Sequence, residues 1–247
     1  MKQVPLAFIL MSGKRRQDYK KVLKKLKSLL PRVPQVEKVV ADFEAGMWRG
    51  MLGVFPSIKI QGCYFHWTQA IRRKLGELGL LKSYNHKGNV FSFCKKIMAL
   101  PFLPAEQIPG AFYGLKDLVI ANPPLGQLCR YVEKQWITSG FYCPRRWSIF
   151  MEEVRTNNDL EGWHRRLNKN AKRGQIQFYL LVELLHKEAA FVTIQSRLVT
   201  EGKLKRHQRK KYRGLQSKLK KLWKKYNDGG QSISQLLSSC SYLAGKI

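Results

Sequence analysis

The alternation of apolar and polar positions divides the chain into a short α/β start and a long helical remainder. Residues 3–11 are apolar and β-type, with a run from Val4 to Met11 closed by Ser12-Gly13, and predict a buried strand. Residues 17–30 predict a helix. Tyr19, Val22, Leu23, Leu26, Leu29 and Leu30 recur at three- and four-residue steps with lysines on the other face, and Pro31 and Pro34 end the pattern. Val39-Val40-Ala41, within residues 37–43, predicts a second short strand. Residues 44–55 predict a helix stopped by Pro56, and residues 57–62, where Ile58 and Ile60 alternate with polar neighbours, a third strand. Strand, helix, strand, helix, strand is the order of an α/β layer with a parallel component.

From His66 onward the period changes to that of helices. Segments near 66–80, 88–100, 104–121 and 124–138 are separated by connections bearing Pro101, Pro104, Pro109 and Pro123-Pro124. Residues 139–156 are irregular and aromatic, with Phe141, Tyr142, Trp147 and Phe150. A helix over 157–170, capped by Asn157 or Asn158, is followed by two longer ones near 175–200 and 203–227. Asp228-Gly229-Gly230 breaks the pattern before a small helical tail. The chain therefore divides into an α/β part (1–66), a helical insertion (67–155), closing helices (156–200) and a basic helical tail (201–247).

Charge adds a partner to this picture. Forty-six Lys plus Arg face sixteen Asp plus Glu, a net of +30 over 247 residues. A body with that excess repels itself unless a polyanion is near, so nucleic acid is the expected partner. The densest stretch holds Lys203, Lys205, Arg206, Arg209, Lys210, Lys211 and Arg213, continuing through Lys218, Lys220, Lys221, Lys224 and Lys225. Leu204, Leu215, Leu219, Leu222 and Trp223 leave it only a thin core face, so phosphate contact is the better reading of the cations. Arg72, Arg73, Arg145 and Arg146 are second candidates.

The longest apolar run, Val4 to Met11, falls far short of the roughly 18 residues of a membrane span, so no membrane partner is expected. It mimics a short secretory signal but lacks a small-x-small cleavage site. The basic cluster at Lys203 to Arg213 is of nuclear type, and a nuclear location is expected. Five irregularly spaced cysteines, Cys63, Cys94, Cys129, Cys143 and Cys240, fit reduced thiols better than a disulfide framework. Nothing in the sequence points to a small-molecule substrate, and homo-oligomerisation stays open.

Four pieces of sequence are more specific. They are D-F-E-A from Asp42, then Phe55-Pro56, then G-C-Y-F-H-W-T-Q-A over Gly62 to Ala70, and T-N-N-D-L-E-G-W-H over Thr156 to His164. In this order they resemble the transposase domain of Mutator-like elements (MULE), over roughly residues 3–200. The Leu100 to Pro104 segment and the region of Trp136 resemble the helical insertion of the same family.

The resemblance implies a partial RNase H-like core with a D-D-E triad, a large helical insertion and a helical C-terminus. Asp42 matches the second acid and Glu161 the third, both as metal ligands, with magnesium or manganese as the cofactor of an active enzyme. Such acids must converge on one pair of hard cations about 3.5–4 Å apart. The same resemblance implies that Val4 to Met11 is the third strand of the family's sheet, that the first acid lies on an earlier strand, and that Asp18 cannot replace it. Val4 to Met11 is then expected to pair in parallel with residues 37–42, and the Asp42 and Glu161 carboxylates to face each other within about 10 Å across a cleft.

Cys63 and His66 have the spacing of a zinc half-site, but one C-x-x-H pair is a weak signal and a closed zinc site takes four ligands. His164, Cys143, Cys94 and His86 supply no second tight pair. Both residues are therefore expected beside the site without being ligands, and zinc is not expected. The functional expectation is a transposase-derived DNA-binding protein without strand cleavage. The alternatives are an active nuclease completed by an upstream segment, and a basic RNA-binding protein unrelated to transposition, which gives no reason for the ordered motif.

Overall fold

Two parallel strands, β1 (Lys38–Ala41) and β2 (Lys59–Gly62), form the sheet, with Lys38 opposite Lys59 and Ala41 opposite Gly62. The computed structural model describes residues 5, 7–32, 34–119, 122–155, 158–171, 176–203 and 210–245, and the backbone alone at 158–161, 170 and 210–213. Most of these residues are helical. The element order is α1 (Arg16–Leu29), β1, α2 (Ala45–Leu52), β2, α3 (Tyr64–Glu77), α4 (Leu81–Asn85), α5 (Asn89–Ala99), α6 (Ile108–Asp117), α7 (Pro123–Val132), α8 (Asn158–Asn170), α9 (Phe178–Thr200), α10 (Lys210–Asn227) and α11 (Ile233–Ser241). The fold class is α/β with a helical majority.

The expected first strand does not form among the described residues. Residue 5 and residues 7–11 have no strand pairing, and β1 pairs there with β2 alone. Ile9 and Leu10 are 44% and 53% exposed, and Phe8 stacks on Trp163 of α8 at 5.1 Å. An apolar run makes a buried strand only when a ladder and a second layer receive it. This one instead lies along the surface, with an aromatic contact to a helix.

α1 packs on α2 through two glycines. A Cβ at Gly46 would meet the Lys14 carbonyl oxygen at 2.3 Å, and one at Gly50 would meet the Tyr19 Cβ at 2.6 Å. Only hydrogen at these positions lets the two backbones approach so closely. The Tyr19 hydroxyl then reaches across to donate to Glu44 Oε1 at 2.6 Å.

The core lies between the sheet and the helices that follow. Trp48, Trp67, Trp147 and Trp223 are all at most 1% exposed. Trp67 of α3 stacks on Trp147 at 4.6 Å and 10° and meets Trp136 edge-on at 5.1 Å. Leu219 and Trp223 dock α10, where the Trp223 indole donates to the Phe102 carbonyl at 2.8 Å. α11 packs against α5 and α10 and buries Leu236, Leu237 and Cys240. α9 has no buried residue and is tied to α8 through Glu188, which accepts from Trp163 Nε1 at 2.8 Å and pairs with Arg166.

The parallel register sets Lys38 and Lys59 side by side, an unfavourable pair of like charges. Glu152 resolves it by pairing with both. Burial pushes its carboxyl up, but the hydrogen bonds and charges of Lys38 and then Lys59 outweigh that and hold it below the ordinary glutamate range. A depressed folded-state pKa contributes stability that is present above the unfolded value and lost as pH falls through the folded one. Glu152→Gln is therefore expected to cost about 1–2 kcal/mol at neutral pH. In denaturant titrations the gap to wild type should hold above the ordinary glutamate value of about 4.3 and close as pH falls below it through the depressed folded-state value, where Glu152 becomes neutral. A gap of constant size across that range would remove the charge argument.

Candidate functional site

Asp42 and Cys63 come together because the strands do. Each follows the last residue of its strand, and the Cys63 amide extends the ladder by donating to the Ala41 carbonyl at 2.9 Å. The Asp42 carbonyl accepts from the Glu44 amide at 2.8 Å and from the Trp48 indole at 2.6 Å, which fixes the turn into α2. Cys63 is the residue that caps α3, and His66 falls in the first turn. Positions three apart around a helix start face each other, so the C-x-x-H spacing returns the imidazole to the strand ends. Gly62 is required here, because a Cβ would meet the ring of Phe43 at 2.4 Å. That ring joins the aromatic layer of Trp48, Trp136 and Tyr142 beneath the site.

His66 Nδ1 lies 2.9 Å from Asp42 Oδ1. The hydrogen bond to Asp42, then the one to Cys63, push the imidazole pKa up from 6.5 to about 10 against the opposing effect of burial. Cys63 is fully buried, whereas the Asp42 and His66 side chains are 48% and 26% exposed, so the cluster opens to solvent on its acid side. It sits at the carboxyl ends of parallel strands, the place where α/β sheets gather ligands. Neighbouring Glu44 is engaged by Tyr19, whose hydroxyl is raised to about 12 by burial and then by Glu44 itself.

The other anticipated site residues are scattered by comparison. Glu161 falls in α8, but its side chain is outside the described residues, and so is any distance from it to Asp42. Lys205, Arg206 and Arg209 lie outside the described residues, as do the side chains of Lys210, Lys211 and Arg213. Lys203 is exposed and pairs with Glu201 at 2.9 Å. Arg72 and Arg73 are exposed on α3. Arg145 is exposed, 3.5 Å from Glu106. Arg146 is engaged within the fold, donating to the Phe141 carbonyl at 2.9 Å and lying over the Phe141 ring at 5.2 Å. A cationic face lies on α10, where Lys218, Lys220, Lys221, Lys224 and Lys225 are all exposed opposite the buried Leu219 and Trp223, with Lys220 3.8 Å from Glu153.

A D-D-E centre holds hard cations among carboxylate oxygens. Among the described residues the donors gathered at Asp42 are one carboxylate, one thiol and one imidazole. Among them a magnesium or manganese pair would find one carboxylate, and the Glu161 side chain lies outside the described residues. No other group of three potential ligands occurs among the described residues, and the separate candidates Cys94 and Cys143 do not join this one.

Residues 1–70 match the model of the MULE transposase domain. The match takes in α1, both strands, Asp42, Cys63 and His66, and it ends before α8 and Glu161. No curated protein and no solved structure matches the chain. Among the described residues, no helix is long and apolar enough to cross a membrane.

Proposed function

We propose, from the match of residues 1–70 to the MULE transposase domain, that this chain is a transposase-related protein that grips DNA through its phosphates and does not cut it. The observation that carries the proposal is the exposed lysine face of α10, held in place by Leu219 and Trp223, in a chain of net charge +30. Five ammonium groups on one docked helix form a cationic face. Neutralising backbone phosphates with such groups releases condensed counterions, a contribution largely independent of base sequence. A nuclear location and a DNA partner follow from the same reading.

The absence of cutting is supported by the donor set at Asp42. A two-cation phosphoryl transfer needs several carboxylates, and the one described there is engaged by His66. Supercoiled plasmid incubated with the chain and magnesium or manganese is expected to stay supercoiled while the chain is bound to it. Nicked product that disappears in an Asp42→Ala variant would overturn the proposal and return Asp42 to catalysis.

A further inference from the structure

Beside the Asp42 carboxylate stand a thiol and an imidazole, donors that a hard-cation centre does not call for. The C-x-x-H pair alone is a weak metal signal. The β1–β2 register adds a third ligand from another element, and the ligating atoms of Asp42, Cys63 and His66 all lie within 4.8 Å of one another. We propose that these three residues form a site for a borderline-soft divalent cation of the zinc and cobalt type, with a fourth coordination position open on the exposed side of Asp42.

Size supports it. Metal bonds of about 2.0–2.3 Å in a tetrahedron place the ligand atoms roughly 3.3–3.8 Å apart. The His66–Asp42 separation of 2.9 Å would have to open by only about half an ångström to admit an ion. Donor type supports it too, because a thiolate and a neutral imidazole, formed as the ion displaces their protons, favour zinc and its neighbours over magnesium.

The frame is built before any ion arrives. The Cys63 amide is tied to Ala41, the Asp42 carbonyl to Trp48 and Glu44, and the α3 start is held by Trp67 packed in the core. Three protein ligands with a vacant fourth position are the pattern of sites that take up water or an anionic ligand. The inference does not depend on DNA binding, because the lysines of α10 contribute nothing to the cluster.

Cobalt(II) titration of the full chain after chelator treatment tests it. The expected result is saturation at one equivalent, with a thiolate-to-cobalt charge-transfer band and the intense visible bands of a tetrahedral ion. Zinc should bleach both, and a large excess of magnesium should leave both unchanged. Cys63→Ser should remove the charge-transfer band, and His66→Gln and Asp42→Asn should each weaken cobalt binding at least tenfold. Cys63 is fully buried, so if its variant fails to fold, the partly exposed His66 and Asp42 decide the matter. Unchanged affinity in both of those variants, no thiolate band in the wild type, a band that survives Cys63→Ser, or displacement by magnesium would each overturn the site. DNA affinity measured on the same samples reports separately on the α10 reading.

Discussion

Replacing Trp147 by alanine lowers the unfolding free energy by about 3–5 kcal/mol, the largest loss expected from a single substitution in this chain. The side chain is 1% exposed and stacked on Trp67. Its indole N–H donates to the Tyr142 carbonyl at 3.0 Å and the Trp136 carbonyl at 3.2 Å. Alanine removes the ring, opens a cavity against Trp67 and strips both carbonyls of their donor. In a chain of this length the loss corresponds to a fall in melting temperature of roughly 6–20 °C.

Trp147→Phe separates the causes. It keeps most of the apolar volume but not the donor, and should cost about 1–3 kcal/mol. Trp67 lies one residue beyond His66, so both variants should also loosen the first turn of α3. A Trp147→Ala protein with wild-type stability in denaturant titration would show that the aromatic layer does not hold the sheet to the helices.

Much of the helical framework was legible in the sequence, because buried and exposed residues alternate there with a clear period. α1 was visible in its leucine stripe, and α10 in the contrast between Leu219, Leu222 and Trp223 and the lysines around them. α7 was legible, but not the π-type turn over Glu133–Ile137 that closes it, since one inserted residue leaves the local pattern unchanged.

Val4 to Met11 shows where pattern runs out. Six or eight apolar residues read the same whether a neighbouring strand receives them or not, and here residues 7–11 lie on the surface with Phe8 against Trp163. α9 was legible as a helix, yet the exposure of Phe178, Tyr179, Phe191 and Ile194 was not, because periodicity names an apolar face without naming what covers it.

The site was half legible. Cys63 and His66 advertise themselves by spacing along one helix start, and Asp42 by its place in an ordered motif. That all three share one space depends on Ala41 pairing with Gly62, and strand register leaves no local mark in a two-strand parallel pair. The contacts of Glu152 were hidden for the same reason, since its two lysines neighbour each other only once the strands have paired. Arg146 turns back on Phe141 within an irregular segment, where no period names a partner.

The central claim, that the chain holds DNA through phosphates with α10 as the grip, is tested most directly by the salt dependence of its affinity for a random-sequence duplex. Five exposed lysines engaging four to five phosphates give a slope of log affinity on log salt of roughly −4 to −5. Affinity should then fall by on the order of 10² to 10³-fold between about 50 and 200 mM salt. Lys218, Lys221 and Lys225 are spaced along one side of α10 and are all exposed, so reversing them to glutamate removes about three contacts without touching Leu219 or Trp223. The account predicts that this triple variant keeps the wild-type melting temperature, binds all duplex sequences more weakly alike, and shows a slope reduced to roughly −2. A flat salt dependence in the wild type, or a folded triple variant with unchanged affinity and slope, would contradict it.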